Sequence, residues 1–394
     1  MRILQISNSF KPAWEAGGTT RVVYDISCGL KSRGHDVTVY TTDRGQKRVE
    51  AKKNRPVRVD NLIVYYFSNI SNYIAMKLNI VTPYYLFFIA RKHVKDFDII
   101  HIHEHRTFLA VIVSYYAKKY NIPYIVQAHG SVMPFYQKTL FKKIFDKFWG
   151  NNILNNASNL IALTDIESKQ YKKMGITEDR ITIIPNGINV SDYQNLPKKG
   201  EFRKEYNIKL DEKIILYLGR IHKRKGIEIL LDAFFEILNE LNPVKLVIVG
   251  PDDGFLKTIE NQAKALKIDV KILITGPLFD EEKRKAYTDA DLLVYPAIHE
   301  IFGLVPFEAI LCNTPVVVTK NDGCGELIEK INCGYLVEYG DTKSLIDTIS
   351  YVLKNLDKQS TFIENGKKYI SNDLNWEKIS KEVEKVYENC IRNI

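Results

Sequence analysis

The stretch Leu292-Leu293-Val294-Tyr295-Pro296-Ala297-Ile298-His299-Glu300-Ile301-Phe302-Gly303-Leu304-Val305-Pro306-Phe307-Glu308-Ala309 changes character twice. Its first four residues are continuously apolar, the mark of a strand buried on both faces. A helix should begin near Phe302 or Gly303, because Pro306 is tolerated only within a first helical turn. Asn313-Thr314-Pro315 then stops it. Glu308 falls early in that helix and Glu300 in the loop ahead of it. Free backbone N–H groups at such an end attract phosphate oxygens. As an isolated pair, the two glutamates would do no more than complement the helix dipole.

The same alternation of apolar strand and amphipathic helix runs outward in both directions. Strands are expected at 3–6, 37–40, 63–67, 98–103, 124–128, 160–163 and 181–184, and again at 214–218, 246–249, 270–274, 292–295 and 316–318. The first helix is expected over 19–33, closed by Gly34-His35. Continuous apolar runs between helices suit parallel sheets covered on both faces. The pattern breaks around Leu196-Pro197-Lys198-Lys199-Gly200, which reads as a linker. The fold class is therefore α/β, with two doubly wound domains at 1–195 and 196–374 and a final helix at 375–394, expected to pack back on the first domain. Ligands of such sheets bind beyond the carboxyl ends of the strands, and a cleft between the domains is the default site.

The chain has 394 residues, enough for two or three domains. Its longest apolar stretch, 80–90, is broken by Thr82 and Pro83 and is far shorter than the roughly 20 residues of a membrane span. The amino terminus reads as a strand with no small-residue cleavage site, which implies no signal peptide. Five widely spaced cysteines without a CxxC pair suit reduced thiols in the cytoplasm rather than a disulfide scaffold or zinc ribbon. The net charge of +9 is uneven: residues 1–195 carry 27 Lys/Arg and 15 Asp/Glu, the remainder 29 and 32. A basic first half implies an anionic surface or substrate on that side.

Other motifs carry chemistry of their own. Gly219-Arg220-Ile221-His222-Lys223-Arg224-Lys225-Gly226 sets four cations at a strand-to-helix turn, where they could clamp a diphosphate or merely be solvated. Gly17-Gly18 lets backbone approach a phosphate or sugar closely, although such pairs are often only turns. In His101-Ile102-His103-Glu104-His105 alternate residues of a strand share a face, so three imidazoles could converge on zinc. No fourth ligand is apparent, and lining or anchoring of a cleft is the favoured reading. Residues 137–149 place Leu140, Phe141, Ile144, Phe145, Phe148 and Trp149 beside Lys138, Lys142, Lys143 and Lys147. That pattern fits an interfacial membrane helix on anionic lipid, or equally a core helix with a solvated basic face. The cluster Tyr84-Tyr85-Leu86-Phe87-Phe88 could extend either one. No nucleic-acid recognition motif is present.

The order Gly17-Gly18, His129-Gly130, Pro185-Asn186-Gly187-Ile188, Arg220 to Lys225-Gly226, Glu300-x7-Glu308 and Gly323-x-Gly325-Glu326 resembles glycosyltransferase family 4 over nearly the whole chain. Asn189 stands where Asp often follows the Asn-Gly-hydrophobic run, and Cys324 interrupts the Gly-rich segment. The resemblance implies a GT-B fold, two facing Rossmann-like domains with a cleft between them, and a retaining, nucleotide-sugar-dependent enzyme without metal or other cofactor. Arg220 and Lys225 resemble the family's diphosphate-binding pair, and Glu308 the glutamate that binds the ribose hydroxyls. Glu300 resembles the one near the donor sugar, with the backbone of Phe302, Gly303, Leu304 and Val305 beside sugar and phosphate. His129 resembles a histidine at the donor-sugar face, and Gly17 or Gly18 the loop near the diphosphate. His129, Arg220, Lys225 and Glu300 are the expected catalytic residues.

The function expected is sugar transfer of the hexosyltransferase type to a glycan, a lipid-linked saccharide or a similar surface-polysaccharide precursor. The enzyme would be cytoplasmic, or peripheral at the inner face of the cell membrane through residues 137–149. The alternatives are a transferase with a soluble sugar or sugar-phosphate acceptor, a GT-B nucleotide-sugar epimerase, and a noncatalytic nucleotide-sugar-binding module.

Overall fold

A computed structural model describes residues 1–78, 80–134 and 139–393. The chain divides into two compact units, Met1–Gly187 with Trp376–Ile394, and Ile188–Asn375. The expected boundary at 195/196 therefore moves to 187/188. Segment Val190–Tyr193 packs on helix Leu304–Leu311, and the Tyr193 hydroxyl bonds to Glu308, so these residues belong to the second unit.

In the first unit the strands are β1 (Arg2–Ile6), β2 (Asp36–Thr42), β3 (Pro56–Val59), β4 (Leu62–Phe67), β5 (Ile99–His103), β6 (Tyr124–Gln127), β7 (Asn159–Ala162) and β8 (Ile181–Ile183). They form one sheet in the order β3-β4-β2-β1-β5-β6-β7-β8. Every pairing is parallel except β3 with β4. Buried apolar side chains cover both faces, which is why these strands carry apolar residues on both sides.

Helix Trp376–Arg392 covers part of one face. It buries Ile379, Val383, Val386, Tyr387 and Cys390, spaced at helical intervals, in the same cluster as Ile3, Val39 and Ile99. Fully burying one such side chain is worth roughly 1.5–3 kcal/mol. A Cβ at Gly29 would lie 2.0 Å from Ser380 Oγ, so only glycine lets helix Gly18–Ser32 approach this closely. Glu384 accepts from Arg33 and lies 2.7 Å from His35 Nε2 at the edge of the contact.

In the second unit β9 (Lys213–Leu218), β10 (Val244–Val249), β11 (Ile272–Gly276), β12 (Leu292–Tyr295), β13 (Val316–Thr319) and β14 (Tyr335–Val337) form a wholly parallel sheet. Its order is β11-β10-β9-β12-β13-β14. The order reverses between β9 and β12. The carboxyl ends of those two strands mark the general ligand position of doubly wound sheets.

Candidate functional site

The Gly219-to-Gly226 turn leaves β9 and the Pro296-to-Gly303 loop leaves β12, so the strand order alone makes them neighbours. Gly226 sits at φ +66, and a Cβ there would meet the Pro296 carbonyl oxygen at 2.1 Å. The Ile298 N–H donates to the Arg224 carbonyl at 2.9 Å. The two loops are thus pressed together at a position that only glycine can occupy without strain.

That contact delivers Lys225 to the carboxylate. Its ammonium donates to Glu300, lies 2.5 Å from the Tyr295 hydroxyl, and stands 4.8 Å from the centre of the Tyr295 ring. The Tyr295 hydroxyl also reaches Glu300 at 3.2 Å. Burial would raise the Glu300 carboxyl, but the Lys225 ammonium and the Tyr295 hydroxyl outweigh it and hold the group below the ordinary carboxylate range. Arg220, on the same turn, is exposed and pairs with Asp253 at 2.8 Å. Exposed pairs of this kind contribute little stability, so the guanidinium is held only lightly.

Helix Leu304–Leu311 begins one or two residues later than expected, with Pro306 in its first turn. Gly303 precedes it and offers no side-chain cap, so the first-turn N–H groups of Leu304 and Val305 have no side-chain acceptor there. Phe302 is buried and stacks on Phe307, with ring centres 5.6 Å apart. Glu308 accepts from Lys283 Nζ at 3.0 Å on each oxygen and from the Tyr287 hydroxyl at 2.8 Å. Burial would raise this carboxyl too, and Lys283, Tyr287 and Tyr193 together depress it. Sequence reasoning missed Lys283 and Tyr287. They lie on helix Asp280–Asp289 at spacing i, i+4, which shares a face but matches no motif.

Asp322 buttresses the site from behind. It caps helix Gly323–Ile331 by accepting from Cys324 and Gly325 N–H at 3.1 and 3.3 Å, and it accepts from the Glu300 N–H at 3.2 Å. Burial pushes its carboxyl up to about 7, and the nearby Glu300 charge adds to this. An aspartate protonated in the folded state and ionised when unfolded loses stability as pH rises from about 4 towards 7. Thermal unfolding of Asp322→Asn followed across that range should lose this downward slope; an unaltered slope would place its source elsewhere.

The remaining expected residues lie in the first unit. Gly17, at φ +116, precedes helix Gly18–Ser32 without a side-chain cap, and a Cβ on Gly17 or Gly18 would meet nothing within 4 Å. His129, at φ +51, follows β6, and its Nε2 lies 2.8 Å from His103 Nδ1. The loop it opens is held by Glu167, which accepts from Gly130 and Leu163 N–H at 2.6 and 2.8 Å. Alternation along β5 covers His101 and His103 alone: Glu104 turns to φ +67, and His105 departs towards Asp146. Among the described residues no group of three His, Cys, Asp or Glu is placed to hold a metal ion.

Residues 137 and 138 of the expected 137–149 helix lie outside the described residues. Thr139–Phe145 is helical and continues through a wider turn, Asp146–Gly150. Its apolar side chains face outward. Leu140, Phe141 and Phe148 are 67%, 73% and 64% exposed, while Asp146 is buried against Arg106. Of the two readings left open for this helix, the core helix with an inward apolar stripe is corrected, because the inward face is built on the Asp146–Arg106 pair.

Two family models match the chain in tandem: "Glycosyltransferase Family 4" over residues 16–192 and "Glycosyl transferases group 1" over residues 198–369. The chain belongs to glycosyltransferase family 4. An uncharacterised glycosyltransferase of Methanocaldococcus jannaschii is 34% identical over 53% of this chain and 54% of its own length. The chain thus spans about half of that relative. The phosphatidyl-myo-inositol mannosyltransferase of Mycobacterium leprae is 27% identical over 74% of each chain. Among solved structures, Anabaena HepE in complex with UDP-glucose superposes with a TM-score of 0.77 at 20% identity, covering 99% of this chain and 100% of the other. This family-4 glycosyltransferase has the GT-B fold, with a Rossmann-like sheet in each unit.

Proposed function

We propose that the enzyme transfers a sugar with retention from a nucleotide-diphosphate sugar to a saccharide or lipid-linked saccharide acceptor. The observation that carries this reading is the convergence of Lys225, Glu300 and the uncapped start of helix Leu304–Leu311 at the strand-order reversal between β9 and β12. The site suits a diphosphate ester on chemical grounds. Arg220 and Lys225 supply positive charge, and first-turn N–H groups of the helix supply directed donors. Glu308, a carboxylate at physiological pH, accepts from the ribose hydroxyls, and Glu300 does the same for the donor sugar.

In the reaction the bond from the anomeric carbon to the phosphate oxygen breaks, and its electron pair leaves on the diphosphate. The acceptor oxygen bonds to the same face, and its proton passes to the departing phosphate oxygen. The largest contribution of the protein is preorganised positive charge at that oxygen, which does without a metal ion or other cofactor. Uridine diphosphate sugars are the first donors to try, since HepE was solved with one. A thermal-shift screen of uridine, guanosine and adenosine diphosphate sugars should give one base that raises the melting temperature by mass action. Transfer from that donor should yield a product with the donor's anomeric configuration by proton NMR. An inverted product, or nucleotide released without need of an acceptor, would contradict the reading.

The acceptor reading rests on the outward aromatic face. Phe108 meets Phe145 and Trp149, and at the far end of helix Phe108–Lys119 the Tyr116 ring meets Phe87. Tyr84, Phe87 and Phe88 are exposed around the core residue Leu86, and Lys143 and Lys147 stand among the exposed rings of the neighbouring helix. Such a surface matches the headgroup layer of an anionic membrane and a cytoplasmic enzyme peripheral to it. No helix among the described residues is long and apolar enough to cross a membrane. Wild-type protein should sediment with anionic phospholipid vesicles. Phe148→Asp with Trp149→Asp should weaken that binding tenfold or more, since each ring contributes about 1.5–3 kcal/mol when buried. Unchanged sedimentation of the double variant would remove this helix as the anchor.

A further inference from the structure

A row of buried side chains joins the C-terminal helix of the first unit to His129. The Tyr387 hydroxyl lies 3.1 Å from Gln5 Nε2 and 2.8 Å from His101 Nδ1. Gln5 Oε1 lies 2.8 Å from His103 Nε2, and His103 Nδ1 lies 2.8 Å from His129 Nε2. Gln5, His101, His103 and Tyr387 are buried, and His129 at the end of the row is half-buried. The three imidazoles stack in sequence, with ring centres 4.0 and 5.1 Å apart.

Donor and acceptor must alternate along such a row, so the direction of one bond sets all the others. In one direction Gln5 Nε2–H donates to Tyr387, whose hydroxyl donates to His101 Nδ1. Gln5 Oε1 then accepts from His103 Nε2–H, and His103 Nδ1 accepts from His129 Nε2–H. The reverse direction needs the Gln5 amide turned over, its nitrogen facing His103 and its oxygen facing Tyr387, and His129 then carries its proton on Nδ1. Burial, joined by repulsion from His129 and, for His103, from His101, keeps His101 and His103 neutral, and burial lowers His129 to about 3. No ring therefore escapes the alternation by holding two protons.

Gln5 decides between the two. Its Nε2–H donates to the Tyr387 hydroxyl, and its Oε1 can only accept, so His103 Nε2 is the donor that faces it. That leaves His103 Nδ1 to accept from His129 Nε2–H.

We propose that this row fixes His129 as the Nε2–H tautomer, leaving Nδ1 bare to accept from a substrate hydroxyl, with Gln5 and Tyr387 as the positioning residues that set it. The substrate hydroxyl rests on the glycosyl-transfer reading; the tautomer does not. The test is nitrogen-15 NMR of the full chain labelled at its imidazoles, with the His129 signals identified by their loss in His129→Asn. Wild type should give a single neutral His129 ring protonated on Nε2. Gln5→Leu should give both tautomers and lower kcat/KM roughly tenfold, the scale of one misdirected hydrogen bond. Tyr387→Phe, which removes one oxygen and leaves the packing, should move the spectrum in the same direction and serves should Gln5→Leu fail to fold. A wild-type ring protonated on Nδ1, or a tautomer ratio untouched in both variants, overturns the proposal. An altered tautomer with unchanged kcat/KM overturns the hydroxyl contact. Because the spectrum is read without substrate, absence of transferase activity would count against the functional reading alone.

Discussion

Lys225→Ala is expected to lower kcat by about 10²-fold or more, the loss typical of removing one preorganised electrostatic stabiliser. The ammonium sits on Glu300 and Tyr295 at the carboxyl end of the central strands, and of the groups that depress that carboxylate it contributes most. Its removal also frees Glu300 from the charge that depresses its carboxyl, so the loss combines phosphate stabilisation with a disordered glutamate. Arg220→Ala separates the two effects. Arg220 is exposed and paired with exposed Asp253, so the fold should lose little. A comparable fall in its kcat therefore reports on the departing phosphate. Rates are to be compared at saturating donor, with far-ultraviolet circular dichroism as the control for folding. Wild-type rates in both variants would dismiss the clamp.

Arg106→Ala is expected to cost about 3–5 kcal/mol, because it leaves the Asp146 carboxylate buried without its partner. Arg106 donates to both Asp146 oxygens at 2.7 Å, to the Val132 carbonyl at 2.8 Å and to the Ser131 carbonyl. One guanidinium thus ties the loop that follows His129 to the helix carrying the outward aromatic rings. The side chains are only 10% and 8% exposed, so solvent screens little of this interaction. Replacing both partners, Arg106→Met with Asp146→Leu, should restore most of the stability, since no charge then remains buried. Thermal denaturation measures both. A single variant that melts like wild type would mean that Asp146 finds another partner or water.

Most of the fold was legible because its strands are buried on both faces. Ile214 to Leu218, Leu246 to Val249 and Leu292 to Tyr295 are apolar without interruption, and only a covered parallel sheet asks for that. The strands that went unread are edges. β3, Pro56–Val59, is short, half exposed and opened by a proline, and β14, Tyr335–Val337, has three residues. Neither buries enough to impose a pattern. Glu300 and Glu308 could be found because a strand, a proline and a helix start fix their positions along the chain. Lys283 and Tyr287 could not: they meet Glu308 through the packing of one helix on another, which leaves no spacing signal. Periodicity likewise gave the amphipathic character of residues 139–149 but not its sense. A buried aspartate held by Arg106 makes the polar side the inner one, and that pairing spans forty positions of sequence.

The most direct test of the central claim is a crystal structure of the enzyme with uridine diphosphate, or with whichever nucleotide the thermal-shift screen selects. The diphosphate should lie within hydrogen-bonding distance of Arg220, Lys225 and the first-turn N–H groups of helix Leu304–Leu311, with the ribose hydroxyls on Glu308. A nucleotide bound away from the carboxyl ends of β9 and β12, touching none of these groups, would contradict the account.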